Sequence, residues 1–366
     1  MKKIPMLRIA LVGCGKAAEN HASQIQHIPD VKLVGVCDRE ALMAEQLAKR
    51  YCVPKFYADC PEMLEKERPD VLHVATPPQT HFQLARTGFA HGCHVLVEKP
   101  ATCSYFETER LLAAADASSR KLTVAWGYFF DPIAREMRTR IEFGAVGEVV
   151  HLNSHFGYDL AGPFGKSVLA DANHWVRGLP AKLIYNVVDH IFNKIAEFLP
   201  GGEPTVETHI WSSNNLSSQQ DIPTEMRVLM RDGPVTATAI FSSSMRPVLH
   251  QFHVFGTKST LSLDFTSGIL STDQAPRIGG VIGSLMSGYS DAWQRLAYAS
   301  KNAVGLSKGQ FGHLAGLQFL FRSFYDSIRR DCPLPIPYHL ILHVSCLMDR
   351  VLSEPRLAAC QEERIA

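Results

Sequence analysis

The sequence predicts an α/β fold: a doubly wound parallel sheet in an N-terminal domain, then an α+β domain with a largely antiparallel open sheet. Three observations predict it. Up to residue 125, short β-rich runs alternate with longer helical patterns, the signature of βαβ units. The strands in that stretch are nearly all apolar, as expected when helices cover both faces of a sheet. After Gly127 the strand-like runs alternate apolar and polar residues, which suits an antiparallel sheet with one open face. The domains are therefore residues 1–127 and 128–366, with the last helices free to pack back on the first domain.

The first domain's strands are expected at Leu7–Val12, Val31–Cys37, Lys55–Tyr57, Val71–Val74, His94–Val97 and Leu122–Ala125. Helical patterns fill Ala41–Tyr51, Gln79–His91 and Tyr105–Ser118. The second domain opens with a helix at Pro132–Phe143, ended by Gly144. Its strands are expected at Glu148–Tyr158, Val206–Ser212, Glu225–Met230, Val235–Phe241, Gln251–Phe255 and Thr260–Asp264. Helices are expected at Leu183–Leu199, Ile282–Val304, Leu314–Arg330 and His339–Leu352.

Composition narrows the function classes. The chain has 366 residues with 37 basic and 36 acidic side chains, so charge gives no reason to expect a nucleic-acid or membrane-surface partner. Nine cysteines without a C-x-x-C pair fit neither a disulfide framework nor a zinc site, and free thiols suit a cytoplasmic protein. Arg8 and the Gly13-Cys14-Gly15 turn interrupt the apolar N-terminus too early for a signal peptide. The longest run without Asp, Glu, Lys or Arg, Cys332–Met348, holds prolines and histidines and is not a membrane span. His339 and His343 have i,i+4 spacing but no third ligand, so no metal site is expected.

The first motif is Gly13-Cys14-Gly15-Lys16-Ala17-Ala18, a G-x-G-x-x-A turn between a strand and a helix. Gly13 permits the tight turn, Gly15 lets backbone approach a pyrophosphate, and Ala18 allows close helix–strand packing. Asp38 ends the second strand, where a carboxylate accepts from ribose hydroxyls and repels a 2′-phosphate. This Rossmann arrangement favours NAD. Arg39 keeps NADP open, because it could pair with a phosphate. Lys16 completes the candidate cofactor-binding residues of this turn. The plain alternative is a tight turn and a surface carboxylate.

The second motif, Glu98-Lys99-Pro100, closes the fifth strand. Ligands of open α/β sheets bind outside the carboxyl ends of strands. A lysine there, partly desolvated beside a cationic nicotinamide, is expected to have a lowered pKa and to exchange a proton with a substrate hydroxyl. The alternative is a surface lysine preceding a helix.

The G-x-G-x-x-A turn, Ala75-Thr76-Pro77-Pro78-Gln79-Thr80-His81 and Glu98-Lys99-Pro100 together resemble the Gfo/Idh/MocA oxidoreductases. Gly144-Ala145-Val146-Gly147-Glu148 resembles that family's turn into the second-domain sheet. The resemblance implies a Rossmann domain followed by an α/β domain whose open sheet often faces another subunit, hence a homo-oligomer, dimer or tetramer. It implies sugars, cyclitols or their derivatives as substrates. It makes Lys99 the catalytic lysine and Glu98 a contact of the nicotinamide ribose, with Thr76, Pro77 and His81 bordering the cofactor cleft.

The family's second catalytic element is a helix with an Asp and, four residues on, a His. The matching stretch here is Leu183–His190, in which His190 fits and Asn186 replaces the Asp. Asn186 can orient substrate or imidazole but cannot act as an anionic base. Asp189 is a poor substitute, because adjacent helical residues diverge by roughly 100°. Read without the resemblance, the segment is an amphipathic helix with Asn186, Asp189, His190, Asn193, Lys194 and Glu197 on a wet face. Tyr128 at the domain junction, and Trp175 and Arg177 beyond it, are further candidate substrate contacts. Trp175 and Arg177 serve equally well as loop anchors.

Three readings compete. The first is a dehydrogenase or reductase, with Lys99 relaying the proton, His190 assisting and Asn186 positioning. The second is an NAD-dependent glycoside hydrolase or lyase that oxidises transiently, eliminates and regenerates its cofactor. The third is a non-catalytic NAD(P)-binding regulator.

One segment stands outside these readings. Ile282, Leu285, Met286, Tyr289, Trp293, Leu296, Ala297 and Val304 form an apolar stripe at helical spacing, with Ser284, Asp291, Gln294, Arg295 and Asn302 opposite. Packing of the stripe on the chain's own core is the expectation. A partner subunit or a membrane surface are the alternatives.

Overall fold

The computed structural model describes residues 5–201, 204–213, 222–275, 279–307, 314–353 and 356–357. The chain divides into two compact units: Met1–Arg135 with Gly305–Cys346, and Glu136–Val304 with Leu347–Ala366.

In the first unit, β1 (Leu7–Val12), β2 (Val31–Cys37), β3 (Phe56–Tyr57), β4 (Val71–Val74), β5 (His94–Val97) and β6 (Leu122–Val124) form a six-stranded sheet in the order β3-β2-β1-β4-β5-β6. Every pairing is parallel. β1, β4 and β6 carry almost no exposed residue because helices cover both faces. Val12 pairs with Cys37 and Val74, and Val74 with Val97, so these strand ends lie level. The residues just beyond them form one row at the point where strand order reverses, the usual ligand position in open sheets.

The covering helices are α1 (Lys16–Gln26), α2 (Ala41–Arg50), α3 (Cys60–Glu67), α4 (His81–Ala90) and α5 (Tyr105–Ala117). Sequence reasoning missed α3, although its start is well marked. Asp59 accepts from the Glu62 amide and Pro61 stands in the first turn. The helix expected from Gln79 begins at His81, after a 3₁₀ turn at Pro78–Thr80.

The second unit starts within α6 (Pro132–Glu142) and contains β7 (Val149–Gly157), α7 (Pro163–Ala170) and α8 (Leu183–Ile195). β8 (Thr205–Trp211), β9 (Glu225–Asp232), β10 (Val235–Ser242), β11 (His250–Gly256), β12 (Ser259–Asp264) and β13 (Ile269–Gln274) follow, then α9 (Gly280–Ser307). The sheet runs β13-β12-β11-β7-β10-β9-β8-β14, with β14 the short Arg356–Leu357. It is antiparallel except for the β7–β10 and β8–β14 pairs. α7 and β13 were not expected from the sequence.

Two expectations are corrected here. The helix α8 has no wet face: Asp189, Asn193 and Lys194 are buried along with its apolar residues. It lies on β7 and β10, and polar side chains on the face of a buried helix must find partners inside. The stripe on α9 does not pack on the chain's own core. Tyr289 and Trp293 are each 71% exposed, and Ile282, Leu285, Met286, Leu296 and Val304 are exposed too. Gln294 and Asn302 of the polar side face inward instead, while Asp291 and Arg295 pair at the surface. The Gln294 side chain accepts from the Thr272 amide at 2.8 Å and donates to its carbonyl at 3.2 Å. Asn302 donates to the Ser267 and Gly268 carbonyls, each at 2.9 Å. Backbone groups at the β13 edge recruit amide side chains, and that choice turns the stripe outward. The side chain of Ser284 lies outside the described residues.

The last helices return to the first unit. α10 (Ala315–Arg330) buries Leu317, Leu320, Phe321, Phe324 and Tyr325. α11 (Tyr338–Ser353) bonds Ser345 to Thr108 of α5 at 2.9 Å, and the Tyr338 hydroxyl accepts from the Leu122 amide at 2.9 Å.

Candidate dinucleotide and catalytic site

Gly13 adopts φ +89°, and its amide donates to the Cys37 carbonyl at 2.8 Å. A Cβ at this position would stand 2.6 Å from the Ala75 carbonyl oxygen, so only glycine fits. Gly15 is different. Among the described residues nothing lies within 4 Å of a Cβ placed there, and it begins α1 without any side-chain cap. The first-turn amides therefore face open space at the positive end of the helix dipole, which suits a pyrophosphate. Ala18 is fully buried against the sheet.

Asp38 sits at the rim of this turn. Its Oδ2 accepts from the Cys14 amide at 2.8 Å and its Oδ1 from the Glu40 amide at 3.0 Å. Both bonds leave lone pairs for a ribose hydroxyl. The Arg39 side chain is exposed beside it. The Lys16 ammonium pairs with Glu19 at 2.6 Å, so its contribution to the turn is its backbone amide.

Beyond β4, Thr76 Oγ1 meets Thr80 Oγ1 at 2.6 Å and Pro77 carries the chain into the 3₁₀ turn. His81 is buried. Its Nε2 faces the Thr76 carbonyl at 2.8 Å, and its Nδ1 faces those of Pro100 and Ala101 at 3.1 and 3.2 Å. Burial pushes its pKa down, so the ring is neutral and donates from one nitrogen at a time. It ties the loop after β4 to the loop after β5.

Glu98 and Lys99 follow β5 directly, both half-buried. Glu98 Oε1 faces His21 Nε2 at 3.0 Å, and its Oε2 accepts from the Lys99 amide at 3.0 Å. Burial pushes the carboxyl pKa up, but the His21 hydrogen bond and the Lys99 charge outweigh it, and the net shift is downward. Glu98 is thus an anion within a mostly apolar layer. Sequence reasoning missed His21. A histidine on the buried face of a helix after a dinucleotide turn was the available signal. Tyr128 lies half-buried in a 3₁₀ turn, and burial followed by the Asp131 charge raises its phenol pKa, keeping it a donor.

In the second unit, Asn186 and His190 share one face of α8 at i,i+4 spacing. Asn186 is buried. The His190 ring stacks on Phe156 of β7 with centroids 5.1 Å apart. One turn on, the Lys194 ammonium bonds the His190 carbonyl and faces His250 Nε2 at 3.1 Å. The Trp175 ring stacks on His174 with centroids 5.6 Å apart. Arg177 donates to the carbonyls of Val168 and Asp171, each at 3.1 Å, and of Leu169 at 3.4 Å. Its guanidinium binds the carbonyls that end α7.

Among the described residues, no cluster of three or more His, Cys, Asp or Glu could hold a metal ion, and no helix is long and apolar enough to cross a membrane.

Comparison with known proteins agrees with this geometry. Residues 7–126 match the Gfo/Idh/MocA model, described as an oxidoreductase family with an NAD-binding Rossmann fold. D-glucoside 3-dehydrogenase of Escherichia coli is 29% identical over 39% of this chain and 41% of its own length. An NAD(+)-dependent scyllo-inositol 2-dehydrogenase of Bacillus subtilis is 29% identical over 40% of this chain and 43% of its own. The chain thus spans about two fifths of the length of the curated relatives it matches. The fold is shared throughout. The WlbA dehydrogenase of Bordetella pertussis, solved with NADH and UDP-GlcNAcA, superposes with a TM-score of 0.75 at 16% identity, covering 95% of both chains. Gly13, Gly15, Asp38 and Glu98-Lys99-Pro100 stand together at the strand ends of the matched region, and residues 7–126 are similar to the NAD-binding Rossmann domain of the Gfo/Idh/MocA oxidoreductases.

Proposed function

We propose that the chain is an NAD(P)-dependent oxidoreductase, moving hydride between nicotinamide and a hydroxyl- or carbonyl-bearing carbon of a sugar, cyclitol or sugar derivative. One observation carries the reading: Lys99 follows β5 in the row that holds the Gly13 turn, next to an ionised Glu98. The names of the relatives, a glucoside dehydrogenase and an inositol dehydrogenase, support the substrate class.

When bound, the nicotinamide supplies the two-electron chemistry. The first-turn amides of α1 hold the pyrophosphate and Asp38 takes the adenosine ribose, favouring NAD over NADP. Glu98 accepts from the nicotinamide ribose. Lys99 Nζ takes the proton of the substrate hydroxyl as an alcohol is oxidised and returns it in the reverse direction. His190 donates to the substrate, and Asn186 orients it without serving as a base. The described cysteines are free, which suits a cytoplasmic setting. On the open face of the second sheet, Leu229 and Phe255 are exposed, which supports coverage of that face by another copy of the chain.

The test incubates the protein with NAD or NADP and a panel of free sugars, nucleotide sugars and inositols, following reduced nicotinamide. Net reduction with at least one compound, abolished by Lys99→Ala, is the expected result. Turnover without added or consumed NAD would establish the hydrolase or lyase reading. Tight NAD binding with no chemistry would establish the regulator.

A further inference from the structure

Behind Glu98 lies a hydrogen-bonded series of buried groups that the proposed chemistry does not use. His21 of α1 meets His73 of β4 through their Nδ1 atoms at 2.9 Å, and His73 Nε2 meets the Tyr325 hydroxyl of α10 at 2.9 Å. His21, His73 and Tyr325 have no solvent exposure. The Phe321 ring seals the series, with its centroid 5.0 Å from His21 and 4.8 Å from His73.

With both rings neutral, such a series has one low-energy proton arrangement. Burial holds the Tyr325 phenol pKa well above its ordinary value, so its O–H stays and donates to His73 Nε2. Burial holds His73 neutral, and with Nε2 accepting from Tyr325 its proton sits on Nδ1. His21 Nδ1 must then accept, which leaves the His21 proton on Nε2, aimed at Glu98 Oε1. The reverse order would turn a nitrogen lone pair toward a carboxylate. It would also leave the Tyr325 proton without His73 as its acceptor, in a site sealed from water.

We propose that His21 and His73 are positioning residues: with Tyr325 they lock one tautomer through the first unit, and that lock holds Glu98 ionised and fixed in orientation beside Lys99. The inference rests on the functional reading only where it gives Glu98 a ribose to bind. The locked series also ties α10, far along the chain, to the loop that bears Lys99.

Histidine-selective ¹⁵N labelling and long-range ¹H–¹⁵N spectra read the tautomers directly, each ring being assigned from the signals lost in its variant. Opposite tautomers are expected, Nε2–H on His21 and Nδ1–H on His73. The same tautomer on both rings, or two protons on either, overturns the lock. Hydrogen exchange at the Lys99 amide reads the orientation of Glu98. His21→Leu should speed this exchange and weaken NAD binding, each by about tenfold, the cost of one hydrogen bond to a charged group. His21→Gln, which keeps a donor and an acceptor, should restore both. Unchanged exchange in folded His21→Leu overturns the proposal, as does unchanged NAD affinity in a protein that binds NAD. If His21→Leu does not fold, Tyr325→Phe decides: a second His73 tautomer with faster Lys99 exchange supports the lock, and an unchanged spectrum overturns it. A wild-type protein that binds no NAD overturns the functional reading alone, and the tautomers and the Lys99 amide then judge the lock by themselves.

Discussion

The Asp38 carboxylate accepts the Cys14 amide at 2.8 Å, so the residue that follows β2 also braces the turn that follows β1. One side chain therefore does two tasks that mutation can separate. Asp38→Ala should weaken NAD binding, improve NADP relative to NAD and lower the melting temperature. Asp38→Asn keeps an acceptor for the Cys14 amide but loses the charge. It should shift the cofactor preference in the same direction with little change in melting temperature. Fluorescence titration with both cofactors checks this, and unchanged relative affinities would place Asp38 away from the ribose.

Lys99→Ala should lower kcat by roughly 100- to 10,000-fold while NAD still binds, the range for loss of a general acid–base. Lys99→Arg should fail as well, because guanidinium does not release its proton at working pH. Turnover near normal in either variant would remove Lys99 from the chemistry. Asn186→Asp tests the departure from the family pattern: a rise in kcat marks a site that merely drifted, and a fall marks a specific neutral role.

What the sequence revealed follows from how each signal arises. The βαβ strands were legible because burial on both faces demands continuous apolar runs, and β1, β2, β4 and β5 begin and end where those runs do. The Rossmann turn was legible because a phosphate-binding turn restricts residue type at fixed positions. The Glu98–His21–His73–Tyr325 series was not legible. Its members are 77, 52 and 252 residues apart in successive contacts, and no local pattern marks such a meeting. α8 misled for a related reason: its periodicity is that of an amphipathic helix, but the polar stripe turns to interior partners such as His250. On α9 the periodicity was right and the side that packs was reversed, because Gln294 and Asn302 bond to the strand edge and loop.

Lys194 makes stability depend on pH. Burial, above all, pulls its ammonium pKa down to about 7 from an ordinary 10.5. Between those values the folded state binds fewer protons than the unfolded chain, so stability rises with pH across the window. Below about 7 both states hold the proton, and the full cost of burying the charge remains. Lys194→Met removes the group while keeping its apolar stem. Denaturant melts should show the variant more stable at neutral pH, with its advantage over wild type narrowing between pH 7 and 9, where the buried cysteines contribute equally to both proteins. A difference between the two proteins that stays constant across pH 7 to 9 would mean that Lys194 is solvated.

Trp293→Asp addresses the outward stripe of α9. With the side chain 71% exposed, the substitution should leave the melting temperature within the narrow range of surface changes, about 0.5 kcal/mol in stability. Concentration-dependent association, read by light scattering, should fall, because exposed apolar patches promote it. A drop of many degrees in melting temperature would mean that the stripe is covered after all.

The first unit takes its sheet from residues up to 135 and its closing helix α10 from residues 315–330. On a ribosome adding about 5–20 residues per second, on the order of ten to forty seconds separate the emergence of β6 from that of α10. Through that interval the second unit's strands can assemble in order of synthesis. The sheet of the first unit waits with the sites of Leu320, Phe321 and Phe324 bare, and His73 waits without Tyr325. The unit begun first thus waits for a helix made after strands β7–β13, and a transcript cut short after residue 304 would yield those strands joined to an open, chaperone-binding first unit.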